Sequence, residues 1–160
     1  MKKDVGVEDL PYRHNVCSLV FRGDKFLLIQ NLGFEPDWWK FPQGGIEAGE
    51  SVEEAAKREL EEEIGNRDFR IVGKSVYTNQ FDWSEKSLRL AGYRWRGQRQ
   101  EFLVVEYIGD EDNIKINEKE TQAFKWASLE EMLNSIDHDD SNFTNYRNTI
   151  EKVLAEFKMA

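Results

Sequence analysis

The sequence predicts an α/β (α+β) fold in which a mixed β-sheet is sandwiched between helices. The 160 residues fit a single domain spanning residues 1–160. Short apolar runs bounded by turn residues predict strands, and stretches with apolar residues three and four positions apart predict helices. Because runs of both kinds occur along the chain, a layered arrangement of sheet and helices follows.

Each predicted element has a local signal. Gly23 and Asp24 are typical of the turn of a hairpin. A serine followed three residues later by a glutamate opens one helix at Ser51 and another at Ser128. Tyr146 belongs to an apolar stripe at helical spacing near the end of the chain. The predicted strands are 14–21, 25–31, 70–80, 87–95, 101–107 and 122–127, with a short extended piece at 39–41, and the predicted helices are 52–64, 128–135 and 144–158.

Composition excludes several classes of protein. A net charge of −9 argues against a chain that binds nucleic acid over its whole surface, because such a chain needs a basic face. The apolar runs are far shorter than the ~20 residues of a membrane-spanning helix, and the start lacks the apolar stretch of a secretory signal. The single cysteine, Cys17, has no partner for an internal disulfide, so the expected compartment is the cytoplasm. An acidic protein that accepts an anionic substrate calls for a multivalent cation.

The stretch 44–66 carries the clearest chemical signal. With each residue placed about 100° further around the helix axis from Val52, Glu59 and Glu63 fall in the middle of the inward stripe and Glu62 at its border. A buried, unpaired carboxylate is costly and like charges one turn apart repel, so this placement requires protonation, a basic partner or a bound cation. Carboxylates at positions i, i+3 and i+4 can converge on a hard cation such as Mg²⁺ or Mn²⁺. The alternative is the solvated acidic face of a surface helix.

Two glycines precede this helix. Gly44 and Gly45 allow the backbone to approach a ligand closely, and a carbonyl group there can be a further oxygen ligand. The alternative is an ordinary loop.

These residues resemble the signature of the Nudix hydrolase family. The signature is Gly, five residues, Glu, seven residues, Arg-Glu, an aliphatic residue, any residue, Glu-Glu, any residue, Gly and an aliphatic residue. Asn66 departs from the last position. Four further segments are similar to bacterial RNA pyrophosphohydrolases and diadenosine tetraphosphate hydrolases. The matching positions are Gly44, Glu50, Arg58, Glu59, Leu60, Glu62, Glu63 and Gly65, and the further segments are 12–16, 39–45, 97–100 and 124–126.

The resemblance implies a Nudix fold with the signature as a loop–helix–loop, and hydrolysis of a nucleoside diphosphate linked to another group. It implies Mg²⁺ or Mn²⁺, roughly two or three ions per site, which activate water for attack on the polyphosphate. Glu50 and Arg58 match positions that orient the metal-binding carboxylates. Glu120 matches a further glutamate, a metal ligand or general base, with Glu118 as its rival. The implied metal ligands are Gly44 or Gly45, through a carbonyl oxygen, and Glu59, Glu62, Glu63 and Glu120, and these four glutamates are the implied catalytic residues.

Basic residues are expected to bind the phosphates that metal ions leave uncovered. From Lys86 to Arg99 the chain has basic residues and neither Asp nor Glu, a local excess in an acidic protein. The planar fork of arginine suits phosphate. The alternative is a strand pair with solvated charges. The predicted phosphate-binding residues are Arg13, Lys40, Arg96 and Arg99, and the run also contains Lys86, Arg89 and Arg94.

Aromatic side chains are expected to stack on an unpaired base. Packing in the core is the alternative for each of them. Gln30 and Asn31 stand where the similar RNA pyrophosphohydrolases carry arginines, so the grip on an RNA backbone is expected to be weaker there. The predicted base-binding residues are Trp38, Phe143 and Tyr146, with Phe81 and Trp83 as further candidates.

The pattern as a whole favours a cytoplasmic enzyme of mRNA decay that removes pyrophosphate from the 5′ end of triphosphorylated RNA. Dinucleoside polyphosphates and free (d)NTPs are alternative substrates. A non-catalytic, nucleotide-sensing Nudix module is the alternative of another class, which the complete glutamate set disfavours. Cys17, His14 and His138 lack the pattern of a catalytic triad, and Cys17 is expected to be a core thiol. No membrane or DNA duplex is expected as a partner, and the oligomeric state stays open.

Overall fold

The computed structural model describes residues 6–138, 140 and 143–160. It confirms the predicted fold class, a mixed sheet flanked by helices. The strands are β1 (Tyr12–Arg22), β2 (Lys25–Asn31), β3 (Gln43–Gly45), β4 (Phe69–Asp82), β5 (Gly97–Tyr107) and β6 (Thr121–Ala127). The helices are α1 (Val52–Ile64), α2 (Glu85–Leu90), α3 (Leu129–Ser135) and α4 (Tyr146–Glu156), with 3₁₀ turns at Val7–Asp9 and Glu111–Asn113.

The sheet has the strand order β4-β5-β1-β2-β6, and β3 pairs with β1. β1 runs parallel to β5, whereas the other pairings are antiparallel. Side chains alternate between two buried layers, as the period of a strand requires. α1 covers the layer that includes Val16, Leu60 and Leu103, and α3 and α4 cover the layer that includes Leu19 and Phe102. Within the described part of the chain, none of the helices has the length and apolar character needed to cross a membrane.

A short segment, residues 40–45, is inserted between β1 and β2. The two strands pair next to their hairpin turn and then separate. Lys40 fills the gap by exchanging backbone hydrogen bonds of 2.8 and 3.0 Å with Ile29, and β3 pairs with β1 from Gln43 to Gly45. The predicted extended piece at 39–41 therefore makes a single bridge, and the regular pairing begins two residues later. This insertion brings a lysine and two glycines into the sheet.

α1 begins and ends where its sequence signals predict. The Ser51 side chain accepts a hydrogen bond from the Glu54 amide at 3.1 Å. Gly65 ends the helix with φ 80°, a left-handed conformation that glycine adopts without strain. Asn66, the departure from the family signature, has a structural use: its side-chain amide donates to Tyr107 Oη at 3.0 Å, and its Oδ1 accepts from the Asp68 amide at 2.8 Å. The polar residue fixes the exit of the loop.

The prediction of a strand over 87–95 is wrong. That stretch contains α2, whose N-terminus is capped by the Ser84 side chain through a hydrogen bond from the Ser87 amide. A turn with left-handed backbone at Gly92 and Tyr93 follows the helix. The serine cap outweighs the weak strand pattern of the apolar and basic residues. β4 consequently connects to β5 through a folded crossover rather than through another strand.

The prediction that Tyr146 binds a base is also wrong. Tyr146 is 2% exposed at the start of α4, within the core. Its hydroxyl accepts a 3.0 Å hydrogen bond from the Phe41 amide and lies 3.6 Å from Cys17 Sγ. Phe81 is likewise buried. Cys17 is the expected core thiol, and burial raises its pKa to about 12.

We expect Tyr146→Phe to lower the free energy of unfolding by about 1–3 kcal/mol, because the buried Phe41 amide loses its acceptor. Urea denaturation measures this change. Tyr77→Phe is the matched control, since Tyr77 is 39% exposed and its hydroxyl removal should cost less than about 0.5 kcal/mol. A rise in substrate KM with unchanged stability for Tyr146→Phe would contradict the structural role.

Candidate active site

The carboxylates of α1 lie as the helical spacing predicts. Glu63 is 7% exposed, and its Oε2 is buried without a hydrogen-bond partner. The Glu59 side chain is largely buried, whereas the Glu62 side chain at the border of the stripe is 55% exposed. An unsatisfied buried carboxylate oxygen is unusual in a native structure, and this one is available to accept a hydrogen bond or to bind a cation.

Burial dominates the electrostatics of these glutamates. The pKa of Glu63 is raised to about 8, first by burial and also by the negative charges of Glu59 and Glu120. The ammonium group of Lys40 acts in the opposite direction on Glu63. Burial also raises the pKa of Glu59, against the effect of Arg58. The site thus concentrates acidic groups whose ionised forms need positive charge.

Arg58 links the glutamates to the loop before α1. Its Nε and Nη2 donate to the two Glu50 oxygens at 2.8 Å each, and Nη2 also donates to the Gly45 carbonyl at 2.9 Å. Its Nη1 donates to Glu59 Oε1 at 2.8 Å. This bidentate pair lowers the pKa of Glu50 to about 2. Arg58 therefore joins Glu50, Glu59 and the Gly45 carbonyl in one hydrogen-bonded network.

Gly44 allows β3 to lie directly against Glu59. A Cβ atom at Gly44 would come within 2.1 Å of the Glu59 carboxyl carbon, so a larger residue would displace the Glu59 side chain. A Cβ atom at Gly45 would lie 2.8 Å from Arg13 Nη2. The two glycines form a cradle in which backbone, carboxylate and guanidinium meet. The Gly45 carbonyl accepts from Arg58 and Gly44 pairs with Val16 between β3 and β1, so both glycines stay candidates for a carbonyl ligand.

The oxygen donors fit a hard divalent cation in kind. The orphaned Glu63 oxygen has no partner within the part of the chain that the structure describes, and Gly44 brings the backbone close to Glu59. Among the described residues, however, no three acidic, histidine or cysteine side chains already stand in an arrangement that would hold a metal ion. Like charges repel when no cation lies between them, and Glu59 forms an ion pair with Arg58. Metal binding therefore requires side-chain rotations, which the exposed Glu62 can make freely.

Glu120 lies in the turn directly before β6, the strand that pairs with β2. Its charge acts on both Glu59 and Glu63, and its carbonyl accepts from the Leu32 amide at 2.9 Å. Glu118 lies exposed in the same turn. The structure brings Glu120 within electrostatic reach of the α1 carboxylates.

A cavity of about 430 Å³ lies on the α4 side of the sheet. Two predicted phosphate-binding residues, Arg13 and Lys40, line it. Lys40 is 6% exposed, and burial lowers its pKa while Glu63 raises it. The same lysine thus lies beside the glutamates and at the wall of the cavity. The other lining residues are Asn31, Phe34, Gln43, Trp83, Ser87, Leu90, Ala91, Gln98 and Phe143.

Sequence analysis missed the amide groups of this cavity. Gln43 and Gln98 line it, and Gln43 Oε1 accepts from Gln100 Nε2 at 3.0 Å. Gln100 Oε1 in turn accepts from Asn79 Nδ2 at 3.3 Å. Polar residues at every second position of β5 were a usable signal, because they share one face of the strand. These amides give the cavity a floor of hydrogen-bonding groups.

The aromatic candidates divide into two groups. Phe143 and Trp83 both line the cavity, although they are far apart in the sequence. Trp38 lines a separate hollow and contacts the rings of Phe34, Phe143 and His138, with centroids 5.3–6.4 Å apart. Base binding by Phe143 and Trp38 stays a prediction.

Two of the four predicted phosphate-binding residues, Arg96 and Arg99, do not line this cavity. Arg96 is taken up by Asp82, with Nε 3.0 Å from Oδ1, and its guanidinium lies over the Tyr12 ring. Arg13 pairs with Gln98 and His14 pairs with Arg99 in the sheet. Because neighbouring residues of a strand face opposite sides, Arg99 points away from the cavity that Arg13 and Gln98 line. The face that Arg99 reaches relative to Arg13 depends on the register of β5 with β1.

Comparison with known proteins agrees with this geometry. The NUDIX domain family matches residues 11–147. An RNA pyrophosphohydrolase of Rickettsia peacockii is 33% identical over 132 residues, which cover 80% of this chain and 82% of the relative. Nudix hydrolase 25 of Arabidopsis thaliana is 34% identical over an alignment of 164 positions, covering 94% and 90%.

Solved structures show the same fold. A C. elegans Ap4A hydrolase, solved as a binary complex, superposes with a TM-score of 0.63 at 19% identity, covering 90% of this chain and 98% of the other. The E. coli dihydroneopterin triphosphate pyrophosphohydrolase gives a TM-score of 0.64 at 17% identity, covering 88% and 99%. With the family match and the curated relatives, these findings show that the chain belongs to the Nudix hydrolase family and is a pyrophosphohydrolase, an enzyme that cleaves phosphorus acid anhydrides.

Proposed function

We propose that this enzyme removes pyrophosphate from the 5′ end of triphosphorylated RNA, with Mg²⁺ or Mn²⁺ as cofactor. The observation that supports this most directly is the buried Glu63 with its unpaired oxygen, placed beside a cavity that Arg13 and Lys40 line. A polyphosphate can lie with its reacting end at the glutamates and its nucleoside in the cavity. The RNA pyrophosphohydrolases that share about a third of their residues with this chain support the choice of substrate.

The proposed metal-binding residues are Glu59, Glu62, Glu63 and Glu120, with the carbonyl group of Gly44 or Gly45. Divalent ions bound there supply charge neutralisation of the polyphosphate and lower the pKa of a bound water. Arg58 holds Glu59 in place and ties it to Glu50. The buried glutamates are the groups that can take the proton of the attacking water. The other residues of the site bind and orient the substrate.

The phosphates and the nucleoside are proposed to meet different walls of the cavity. Lys40 lies within electrostatic reach of Glu63 and Arg13 lies beside Gly45, and both offer positive charge to the phosphates. Phe143 and Trp83 offer ring faces, and Gln98 offers an amide, to the first nucleoside. Trp38 stays a candidate for base binding at the neighbouring hollow.

The substrate proposal is tested by product analysis with Mg²⁺ on 5′-triphosphate RNA, diadenosine tetraphosphate and GTP. We expect the RNA to lose pyrophosphate with a kcat/KM at least about tenfold above that for the other two, because only the RNA strand continues past the 3′ side of its first nucleoside and can gain contacts there. An RNA with a 5′-monophosphate is the control and should not react. Cleavage of the dinucleotide with the RNA left intact would overturn the proposal.

Glu63→Gln should lower kcat by about 100-fold or more, since the variant loses a charged ligand for the metal ion. The far-UV circular dichroism spectrum should not change, because the amide has the shape of the carboxyl group. Glu61→Gln is the matched control on the outer face of α1, where Glu61 pairs with Arg67. Calorimetric titration with Mn²⁺ provides a second readout. Wild-type turnover and Mn²⁺ affinity in Glu63→Gln would remove this residue from the metal site.

Arg58→Lys should lower kcat by about 10–100-fold, because a lysine cannot donate to Glu50, Glu59 and the Gly45 carbonyl together. Lys57→Arg, on the exposed neighbouring position, should leave the rate unchanged. If Arg58 acts through its pair with Glu50, the effects of Arg58→Lys and Glu50→Gln on kcat will not add in the double variant. Additive effects would show that the two residues act independently.

A further inference from the structure

The crossover between β4 and β5, residues 83–96, is held as a fixed unit at both ends. The Trp83 amide donates to the Arg96 carbonyl at 2.9 Å, and the Arg96 amide donates to the Pro11 carbonyl at 2.9 Å. Asp82 and Arg96 form an ion pair across its base, and the Tyr12 hydroxyl donates to Asp82 at 2.7 Å. The crossover therefore keeps its position relative to the cavity.

One side of the crossover forms a wall of the cavity. Trp83, Ser87, Leu90 and Ala91 line it. Leu90 is 79% exposed, so it stands at the rim where the cavity opens to solvent. A large apolar side chain at such an opening provides a surface over which a ligand can leave the cavity.

The solvent side of the crossover is basic and aromatic. Lys86 is four residues before Leu90 and lies on the same side of α2. Lys86, Arg89 and Arg94 are exposed, and the Arg94 guanidinium lies 4.6 Å from the centre of the Trp95 ring. Tyr93 is 43% exposed. Its hydroxyl donates to Glu85, the acidic residue of the crossover, and fixes the ring.

We propose that Lys86, Arg89, Leu90, Tyr93 and Arg94, the exit strip, bind the nucleotides of an RNA strand that follow the first one. This inference rests on the proposed function and extends it to the part of the substrate outside the cavity. The strand leaves over Leu90, its phosphates meet Lys86, Arg89 and Arg94, and a base stacks on Tyr93.

Charge and size both favour a strand over a small nucleotide. The chain carries a net charge of −9, so a local run of basic side chains beside the cavity attracts a polyanion against the overall field. A volume of about 430 Å³ is near the lower end of the roughly 300–1,000 Å³ typical of small-molecule pockets. A free triphosphate ends inside such a cavity, whereas an RNA continues onto its rim. Alternating cationic and aromatic groups suit single-stranded RNA.

The test compares two lengths of 5′-triphosphate RNA, a dinucleotide and an octanucleotide, on the wild type and on the triple variant Lys86→Gln, Arg89→Gln, Arg94→Gln. The octanucleotide KM should rise about tenfold or more at low salt, and the slope of log KM against log salt should fall by about 2, since roughly 0.7 is lost per phosphate contact. The dinucleotide KM and both kcat values should stay within about twofold, because the cavity is unchanged.

A matched control removes the same charge from elsewhere. Lys25 and Arg70 lie at the opposite end of the sheet, and Lys152 lies on α4. Lys25→Gln, Arg70→Gln, Lys152→Gln should leave the octanucleotide KM unchanged. An equal rise in KM for this control, an equal effect of the strip variant on both lengths, or no effect on either would overturn the exit strip. Failure of the wild type to hydrolyse RNA of any length would instead overturn the proposed function.

Discussion

The structure depends on the burial of a carboxylate on the inward face of α1. The ionised form of Glu63 cannot lie there without compensation, because burial favours the neutral acid and raises the pKa of this carboxyl group to about 8. The compensation within the chain comes from Lys40, which is buried on the inserted segment 40–45. This segment separates β1 from β2, interrupting a hairpin that would otherwise pair along its length. The β1–β2 pairing is thus interrupted where the segment that carries the Lys40 ammonium group lies next to the glutamates.

Arg58 solves a different electrostatic problem from Lys40. Its planar group joins Glu50, Glu59 and the Gly45 carbonyl, so one side chain ties the loop, the helix and the sheet together. Lysine presents a single ammonium group, which suits a position that faces both Glu63 and the cavity. The two cations therefore differ in purpose: Arg58 orients groups, whereas Lys40 supplies charge.

Local geometry was predictable from the sequence, and tertiary geometry was not. The positions of Glu59 and Glu63 followed from helix periodicity, because 100° per residue holds in any α-helix. Tyr146 was predicted to bind a base, but it belongs to the same apolar stripe as Ile150, which is 0% exposed. That stripe correctly indicates that Tyr146 lies in the core. Arg96 and Arg99 could not be assigned, since the face that each one reaches depends on the register of β5 with β1 and on the ion pair with Asp82.

The separation of basic residues explains how a strongly acidic chain can handle a polyanion. Lys40 is buried beside glutamates, where its charge is weakly screened and acts at short range. The basic side chains of the crossover are exposed, with the Arg89 side chain 73% accessible, so salt screens them. Binding inside the cavity should consequently depend little on ionic strength, whereas binding outside it should depend strongly. The enzyme should therefore prefer a substrate that contacts both regions over a free nucleotide mainly at low salt. Substrate specificity then depends on ionic strength and on the exposed basic residues rather than on the glutamates of the family signature.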